Sequence, residues 1–268
     1  MNMLVCIKQV PDTTEIRIDP VTNTLIRAGV PSIVNPFDAY ALEIAARMKD
    51  EAGGRIVVLS MGPPQAEKAL RECLSVGGDK AYLLSDRVFG GSDTLATSYI
   101  LSQAIKTIEI GEGRFDVIFC GKQAIDGDTA QVGPEIAEHL DYPQVTYVVR
   151  AALEDNELTV RREVEEGYEV LAVQRPCVIT VTKTPFDPRY ASIKSRIAAS
   201  RAEISLLTSR EVSLDVTRAG LKGSPTKVKK TFTPPARKNG LIIREGTYSA
   251  SAKKLFDMLF TPNAGQAR

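Results

Sequence analysis

Residues 115–132 have the sequence FDVIFCGKQAIDGDTAQV. The apolar run at 115–120 predicts a buried strand, and the polar stretch at 121–131 connects it to a helical pattern that ends near Leu140. The same alternation precedes it along the chain, with apolar strands at 5–9, 55–60 and 80–84 and helices at 36–51, 65–75 and 94–108. Strands that are apolar throughout and alternate with helices predict an α/β fold, a doubly wound parallel sheet covered by helices on both faces.

Two polar side chains in turns are predicted to cap helices. Asn35 precedes Pro36 at the start of the first helix, and Asp93 precedes the helix at 94–108. Between the first strand and Asn35, alternating polar and apolar residues at 15–27 predict a β-hairpin.

Beyond Pro143 the pattern changes. Four strand-like segments separated by turns predict antiparallel additions to the sheet, at 144–151, 158–163, 168–173 and 177–182. A helix at 193–202 follows, and the stretch 209–239 is rich in Thr, Lys, Gly and Pro, which predicts an arm with little core of its own. We therefore predict an α/β domain over residues 1–208 and a C-terminal arm over 209–268. The amphipathic helix at 249–260 either packs on a partner chain or folds back on its own domain.

The charge balance and the cysteine and histidine content argue against several classes of function. The 268 residues include 34 Lys and Arg against 33 Asp and Glu, so no strong positive field exists to attract nucleic acid. No run of about 18 apolar residues predicts a membrane span. The N-terminus predicts a strand and not a signal peptide, so we expect a cytoplasmic protein. The four cysteines form no C-x-x-C motif, and the single histidine, His139, lies in a helical stretch, so neither a metal site nor a catalytic triad is predicted.

The stretch at 121–132 has the features of a phosphate-binding site. In an open parallel sheet, ligands bind at the carboxyl ends of the strands. Gly121 and Gly127 permit backbone conformations that bring N–H groups close to an anion. The dipole of the following helix favours negative charge at the same place, and Thr129 and Gln131 add hydrogen-bond donors.

Other features of the sequence leave alternatives open at this site. Asp126 and Asp128 repel phosphate, so these carboxylates either cap the helix or bond a ribose hydroxyl. A second glycine-containing stretch, at 90–94, can also approach an anion closely, with Thr94 and Thr97 on the first helical turn. In both stretches the alternative is a capped loop without a ligand. The G-x-G-x-x-G and G-x-x-x-x-G-K-[ST] fingerprints are absent from the sequence.

Several motifs together resemble the beta subunit of electron-transfer flavoprotein, in the order and spacing of that family. They are residues 6–12 (CIKQVPD), 35–38 (NPFD), 61–63 (MGP), 121–128 (GKQAIDGD) and 162–180, which ends in PCVIT. Glu166 departs from the family pattern, which has Gly or Asp there. The resemblance covers roughly residues 1–230 and is weakest in the C-terminal arm.

The resemblance implies a Rossmann-like domain that buries an adenine nucleotide and pairs with an alpha subunit carrying a flavin. In one group of members the nucleotide is a structural AMP, whereas in electron-bifurcating members it is a second FAD that accepts hydride from NADH. Residues 85–98 and 223–226 resemble the bifurcating group, so FAD is favoured over AMP. The implied cofactor-binding residues are Cys6, Asn35, Phe37, Asp38, Met61, Asp93, Thr94, Thr97, Gly121, Lys122, Gln123, Ala124, Ile125, Asp126, Gly127, Asp128, Thr129, Ala130, Gln131 and Val132.

The same resemblance implies the route of the electrons and the surface that meets the partner. One electron passes to an acyl-CoA dehydrogenase-like partner and the other to a low-potential ferredoxin or flavodoxin, without a catalytic side chain. Residues 188–193 resemble part of the recognition loop, about 186–197, that docks on acyl-CoA dehydrogenases. Tyr190 and Ile193 are the implied partner-binding residues, with Ile193 as the apolar anchor. The alternative is that Ile193 only begins the helix that follows.

Two other classes of protein compete with this interpretation. A nucleotide-binding protein of the universal stress type would share the sheet and bind ATP, but it would have no use for the arm after residue 208. An ATP pyrophosphatase-like ligase would need its phosphate loop after the first strand, where this chain has KQVPD at 8–12.

Overall fold

The computed structural model describes residues 1–12, 31–154, 157–229 and 240–260. The chain divides into two compact units, Met1–Lys230 and Thr231–Arg268. The hairpin predicted at 15–27 lies outside the described residues, and so do residues 230–239 and 261–268 of the predicted arm.

Strands and helices alternate along the first unit. Its strands are β1 Asn2–Ile7, β2 Gln9–Pro11, β3 Ser32–Val34, β4 Arg55–Met61, β5 Lys80–Leu84, β6 Val117–Gly121, β7 Gln144–Glu154, β8 Glu157–Val164, β9 Gly167–Val173, β10 Cys177–Val181 and β11 Ile204–Leu207. Its helices are α1 Pro36–Ala52, α2 Glu67–Ser75, α3 Thr94–Glu112, α4 Val132–Leu140, α5 Ile193–Arg201 and the single turn α6 Gly220–Gly223.

Nine of these strands form one sheet in the order β11-β5-β4-β1-β6-β10-β7-β8-β9, and β2 and β3 form a separate antiparallel pair. The first seven strands in this order, from β11 to β7, are parallel to one another. After β1, the strands β4 and β5 add in turn on one side of it, and β6 then pairs with β1 on the other side. The predicted doubly wound α/β fold is therefore confirmed.

The central strands are buried along their length because helices cover both faces of the sheet. Met3 and Val5 of β1 belong to the core beneath α1 and α2. Leu4 and Cys6 point to the opposite face and belong to the core beneath α3 and α4. Alternate residues of a strand point to opposite faces, so both sets must be apolar, and this produces the continuous apolar runs of the sequence.

Two features of the sheet differ from the prediction. The strands β7, β8 and β9 form the expected antiparallel addition. The strand β10 does not, because it inserts between β6 and β7 and is parallel to both. The sheet also gains β11, a four-residue edge strand parallel to β5 that the hydrophobic pattern did not reveal.

The first unit continues past residue 208, where the sequence placed the end of the α/β domain. Val212 and Ala219 are buried in the core beneath α3. Asp86 also accepts hydrogen bonds from the backbone N–H and the hydroxyl of Ser209, at 3.1 and 2.6 Å. Residues 209–229 therefore pack on the α/β domain as part of the same unit.

The described part of the second unit contains one helix, α7 Tyr248–Phe260, which confirms the helix predicted there. Leu255, Phe256 and Leu259 recur at helical spacing, and the rings of Phe256 and Phe260 lie 4.7 Å apart. Within the described ranges of the chain, no helix is long and apolar enough to cross a membrane.

Candidate nucleotide-binding site

A cavity of about 1240 Å³ opens at the carboxyl ends of β1, β4 and β6. The strand order reverses here, because the connection from β1 leads to β4 on one side and the later connection from β5 leads to β6 on the other. Ligands of open α/β sheets bind in the crevice that such a reversal leaves. The volume exceeds the roughly 300–1,000 Å³ of most small-molecule sites, so the cavity has room for a ligand as large as a dinucleotide.

Most residues predicted to bind the cofactor line this cavity. They are Cys6, Asp38, Met61, Asp93, Thr94, Thr97, Gly121, Lys122, Gln123, Ala124, Ile125, Asp126, Gly127, Thr129, Ala130, Gln131 and Val132. Asn35, Phe37 and Asp128 are not among its lining residues. The cavity also includes Gln65 and Phe89, which the prediction omitted although both follow closely on the ends of strands.

Asn35 holds the loop at residues 121–131 in place. Its side-chain Nδ2 donates to the carbonyl of Gln123 at 2.8 Å, and its Oδ1 accepts from the N–H of Ile125 at 3.2 Å. Asn35 is the N-cap residue of α1 and Pro36 begins the helix, as predicted, but the Asn35 amide makes no capping bond because it is used across the site. By contrast, the predicted cap at Asp93 is confirmed, because its carboxylate accepts from the N–H of Ala96 at 3.0 Å.

The loop ends in a row of free hydrogen-bond donors. Asp128 and Ala130 adopt φ angles of +50° and +54°, a left-handed conformation that is costly for residues other than glycine. Among the described residues, the backbone N–H groups of residues 129–132 have no acceptor. These groups lie at the start of α4, where the helix dipole is positive, so together they form a site for an anion.

The two acidic side chains of the loop do not cap α4, so that alternative is wrong. Asp126 forms an ion pair with Lys8 across the mouth of the cavity, with Nζ and Oδ1 2.7 Å apart. Asp128 accepts a hydrogen bond from the side-chain amide of Gln123 at 2.7 Å. Asp128 therefore has its partner within the loop, and Asp126 has its partner immediately after β1.

Asp38 is a buried carboxyl group that joins α1 to the ends of two strands. It accepts hydrogen bonds from the backbone N–H of Lys8, at 2.7 Å, and from that of Gly121, at 3.1 Å. Burial raises the pKa of Asp38 to about 7, although these hydrogen bonds act in the opposite direction. Asp38 therefore gains or loses a proton in the neutral range.

This raised pKa predicts a pH dependence of stability. Between the ordinary pKa of 3.8 and about 7, the folded protein binds more protons at Asp38 than the unfolded chain does. The free energy of unfolding should therefore fall as pH rises through this interval, by up to about 1.4 kcal/mol per pH unit for this one group. Asp38→Asn should flatten that slope when urea unfolding is followed from pH 5 to pH 7. Equal slopes for the two proteins would contradict the prediction.

A second wall of the cavity depends on Asp93. Its carboxylate accepts from both the N–H and the hydroxyl of Thr226, at 3.0 and 2.8 Å, in addition to capping α3. Its own N–H donates to the hydroxyl of Ser224 at 2.9 Å. Residues 224–226 are thereby fixed against the start of α3, and Thr226 joins the cavity lining.

The cavity lining includes two cysteines but not the single histidine. The thiols of Cys6 and Cys120 lie side by side at its floor, where their hydrogen bond and burial raise the pKa of Cys120 well above its ordinary value. Burial lowers the pKa of His139, which lies in α4 as expected. In the described parts of the chain, no group of three or more His, Cys, Asp and Glu side chains could hold a metal ion.

The predicted partner-binding residues lie outside the cavity, on the protein surface. Tyr190 is 97% exposed and Ile193 is 81% exposed. Ile193 is the first residue of α5, and the hydroxyl of Ser192 caps this helix by accepting from the N–H of Ser195 at 3.0 Å. Ile193 therefore begins the helix, and its side chain is also presented to solvent.

Comparison with known proteins finds close relatives along nearly the whole chain. The family described as electron transfer flavoprotein domain matches residues 22–211. The electron transfer flavoprotein subunit beta of Thermoanaerobacterium thermosaccharolyticum is 52% identical over 260 residues, which cover 97% of this chain and 98% of that protein. The protein of the same name from Megasphaera elsdenii is 54% identical over 247 residues, covering 91% and 92%. The caffeyl-CoA reductase-Etf complex subunit CarD of Acetobacterium woodii is 49% identical over 260 residues, covering 97% and 98%.

Proposed function

The chain belongs to the electron transfer flavoprotein family as a beta subunit, and from this premise we propose that it binds FAD in the cavity and takes part in electron bifurcation. Its general role is electron transfer, as the partner of an alpha subunit. In the proposed reaction, electrons from NADH pass toward an acyl-CoA dehydrogenase-type protein and a low-potential ferredoxin or flavodoxin.

The observation that carries this proposal is the combination of an anion site and a large, partly apolar cavity. The free N–H groups of residues 129–132 are suited to a pyrophosphate. Met61, Phe89 and Leu101 offer apolar contacts to a ring system elsewhere in the cavity. The volume of about 1240 Å³ favours a ligand larger than a mononucleotide. The sequence similarity to a subunit of a caffeyl-CoA reductase-Etf complex supports the proposal that the partner protein acts on a CoA thioester.

In this proposal the side chains bind and position, and they form no covalent bond with the substrate. Bound FAD would supply the redox chemistry, because it exchanges a hydride with one partner and single electrons with others. Asn35 fixes the loop that holds the phosphates, and Asp93 fixes the opposite wall. The apolar side chains of the lining exclude water from the ring system.

Nucleotide counting tests the choice of cofactor. The chain is co-expressed with an alpha subunit, purified in excess FAD and extracted for absorbance and mass analysis. Two FAD molecules per heterodimer without AMP are expected. One FAD and one AMP would instead identify a one-flavin carrier that shuttles single electrons from dehydrogenases.

We also propose that residues 186–201, the docking segment, contact the acyl-CoA dehydrogenase. Tyr190 and Ile193 are the exposed apolar residues at its centre. Along α5, Lys194, Arg196 and Arg201 are exposed and no acidic residue is present. This surface fits a partner with an apolar pocket surrounded by carboxylates.

Ile193→Ala should weaken this docking. An anchor residue in an interface typically contributes about 2 kcal/mol or more, so the KM for a purified acyl-CoA dehydrogenase should rise about 30-fold. FAD content should not change, because Ile193 does not line the cavity. The matched control is Ile110→Ala, since Ile110 is equally exposed but lies on α3. Equal KM values for the two variants would remove the proposed role of Ile193.

A further inference from the structure

The docking segment is attached to the α/β domain at both of its ends by arginine side chains. At the first end, Arg189 contacts Glu43 on α1, which is only 3% exposed. The backbone N–H of Arg189 donates to Glu43 Oε2 at 3.0 Å, and its guanidinium donates to the same carboxylate from Nε at 2.8 Å and from Nη2 at 3.3 Å. One buried carboxylate thus fixes both the backbone and the side chain of Arg189.

The surroundings of Glu43 favour its charged form. Arg47 donates to Glu43 Oε1 at 2.8 Å, and the guanidinium of Arg47 stacks 3.8 Å from the ring of Phe186 at the start of the docking segment. Asp50 forms a second ion pair with Arg189 at 2.9 Å. Burial by itself would raise the pKa of Glu43, but the hydrogen bonds from Arg189 and Arg47 lower it below its ordinary value.

At the other end, Arg71 of α2 binds the C-terminus of α5. Its Nη1 donates to the carbonyls of Ala199 at 2.9 Å, Ser200 at 3.1 Å and Ala202 at 3.1 Å. The last carbonyls of a helix have no partners within the helix, and the dipole makes that end negative, so a guanidinium there stabilises the helix terminus. Glu67 in turn orients Arg71 through an ion pair at 2.7 Å.

These anchors serve a segment whose middle is exposed. Tyr190 and Ile193 are the most exposed of its apolar residues, and Ile197 is also exposed. An exposed apolar segment loses conformational entropy when it binds, and prior anchoring reduces that loss.

We infer that Glu43 and Arg71 are positioning residues that hold the docking segment, from opposite ends, in the conformation that binds the dehydrogenase. This inference rests on the docking function proposed above. Neither residue lines the nucleotide cavity, so neither acts on the electron-transfer chemistry directly. If loss of one anchor reduces the binding-competent fraction to about a tenth, the apparent dissociation constant rises about tenfold, because it scales inversely with that fraction.

The test compares Glu43→Gln with Glu51→Gln, which removes the same charge from an exposed position on α1. Both variants are prepared as heterodimers with the alpha subunit. Hydrogen exchange of residues 186–201 is measured without a partner, and steady-state transfer is measured with a purified acyl-CoA dehydrogenase. For Glu43→Gln we expect exchange about tenfold faster and a KM about tenfold higher, with kcat within about twofold of the wild type. Glu51→Gln should match the wild type in all three quantities.

Arg71→Met provides a second, independent variant should Glu43→Gln fail to fold, with Lys68→Met as its control on the exposed side of α2. It should raise exchange at the end of α5 and raise KM in the same way. Unchanged exchange, or faster exchange with unchanged KM, would overturn the inference. The proposed docking function fails separately, if Ile193→Ala leaves KM unchanged. In that case the exchange measurement still reports whether the anchors hold the segment.

Discussion

Gly121→Ala is expected to lower the melting temperature by about 6–12 °C and to abolish nucleotide binding. Gly121 ends β6 and touches the start of α1 so closely that an added Cβ would overlap Asp38 Oδ1 and lie 2.8 Å from two backbone atoms, the nitrogen of Asp38 and the carbonyl carbon of Phe37. Overpacking of a core commonly costs about 1–3 kcal/mol, and here backbone has to move, so we expect about 3 kcal/mol. In a chain of this size each kcal/mol lowers the melting temperature by about 2–4 °C.

The effect should reach the cofactor because Gly121 is also the first residue of the loop. If β6 and α1 move apart, the hydrogen bond from Gly121 N–H to Asp38 is lost and the N–H groups of residues 129–132 move with the loop. Gly111→Ala is the control, since a Cβ there meets nothing within 4 Å and Gly111 lies on α3, outside the cavity lining. Calorimetry and nucleotide extraction on both heterodimers provide the measurements. A Gly121→Ala protein that melts within about 2 °C of the wild type would show that the contact does not constrain the site.

Much of the fold follows from local patterns that can be recognised without coordinates. The strands β1, β4, β5 and β6 of the main sheet are apolar runs, because both faces of the sheet are covered. The strand β11 escaped detection because Ile204–Leu207 is short and only partly buried at an edge. The position of β10 in the sheet was not predicted, because a hydrophobic run shows that a strand exists but not which strands it pairs with.

The candidate site was predictable where it depends on position after a strand and not where it depends on long-range hydrogen bonds. The loop at 121–131 can be recognised from the sequence, because glycines and polar residues lie between a strand and a helix. The roles of Asn35 and Glu43 cannot be recognised in this way, because their partners are distant in sequence. Each residue type also has a more common local use, Asn as a helix cap and Glu as a surface charge. Residues 209–229 were predicted to be an arm for the same reason. The hydrogen bonds that hold them on the domain go to Asp86 and Asp93, which are distant in sequence.

Thr129→Glu should remove the nucleotide while leaving the fold intact. Thr129 is an exposed residue of the cavity lining, next to the free N–H groups at the start of α4. A carboxylate there would compete for those donors and repel a phosphate. Two unit charges about 4 Å apart repel by about 4 kcal/mol at an effective dielectric constant of about 20. At about 1.4 kcal/mol per tenfold change, binding should weaken by more than about 100-fold.

The matched control is Thr129→Gln, which has nearly the same size and shape as the glutamate but no charge. With the nucleotide removed from all three proteins, both variants should melt close to the wild type, because the side chain is exposed. Extraction of the purified heterodimer should yield about one nucleotide fewer per complex for Thr129→Glu and the full complement for Thr129→Gln. If both variants lost the nucleotide, side-chain volume would be responsible and the anion site would lie elsewhere. If neither lost it, the phosphates would not bind at the start of α4. Only loss confined to the glutamate variant assigns these N–H groups to the phosphate, because charge is then the single property that distinguishes the two proteins.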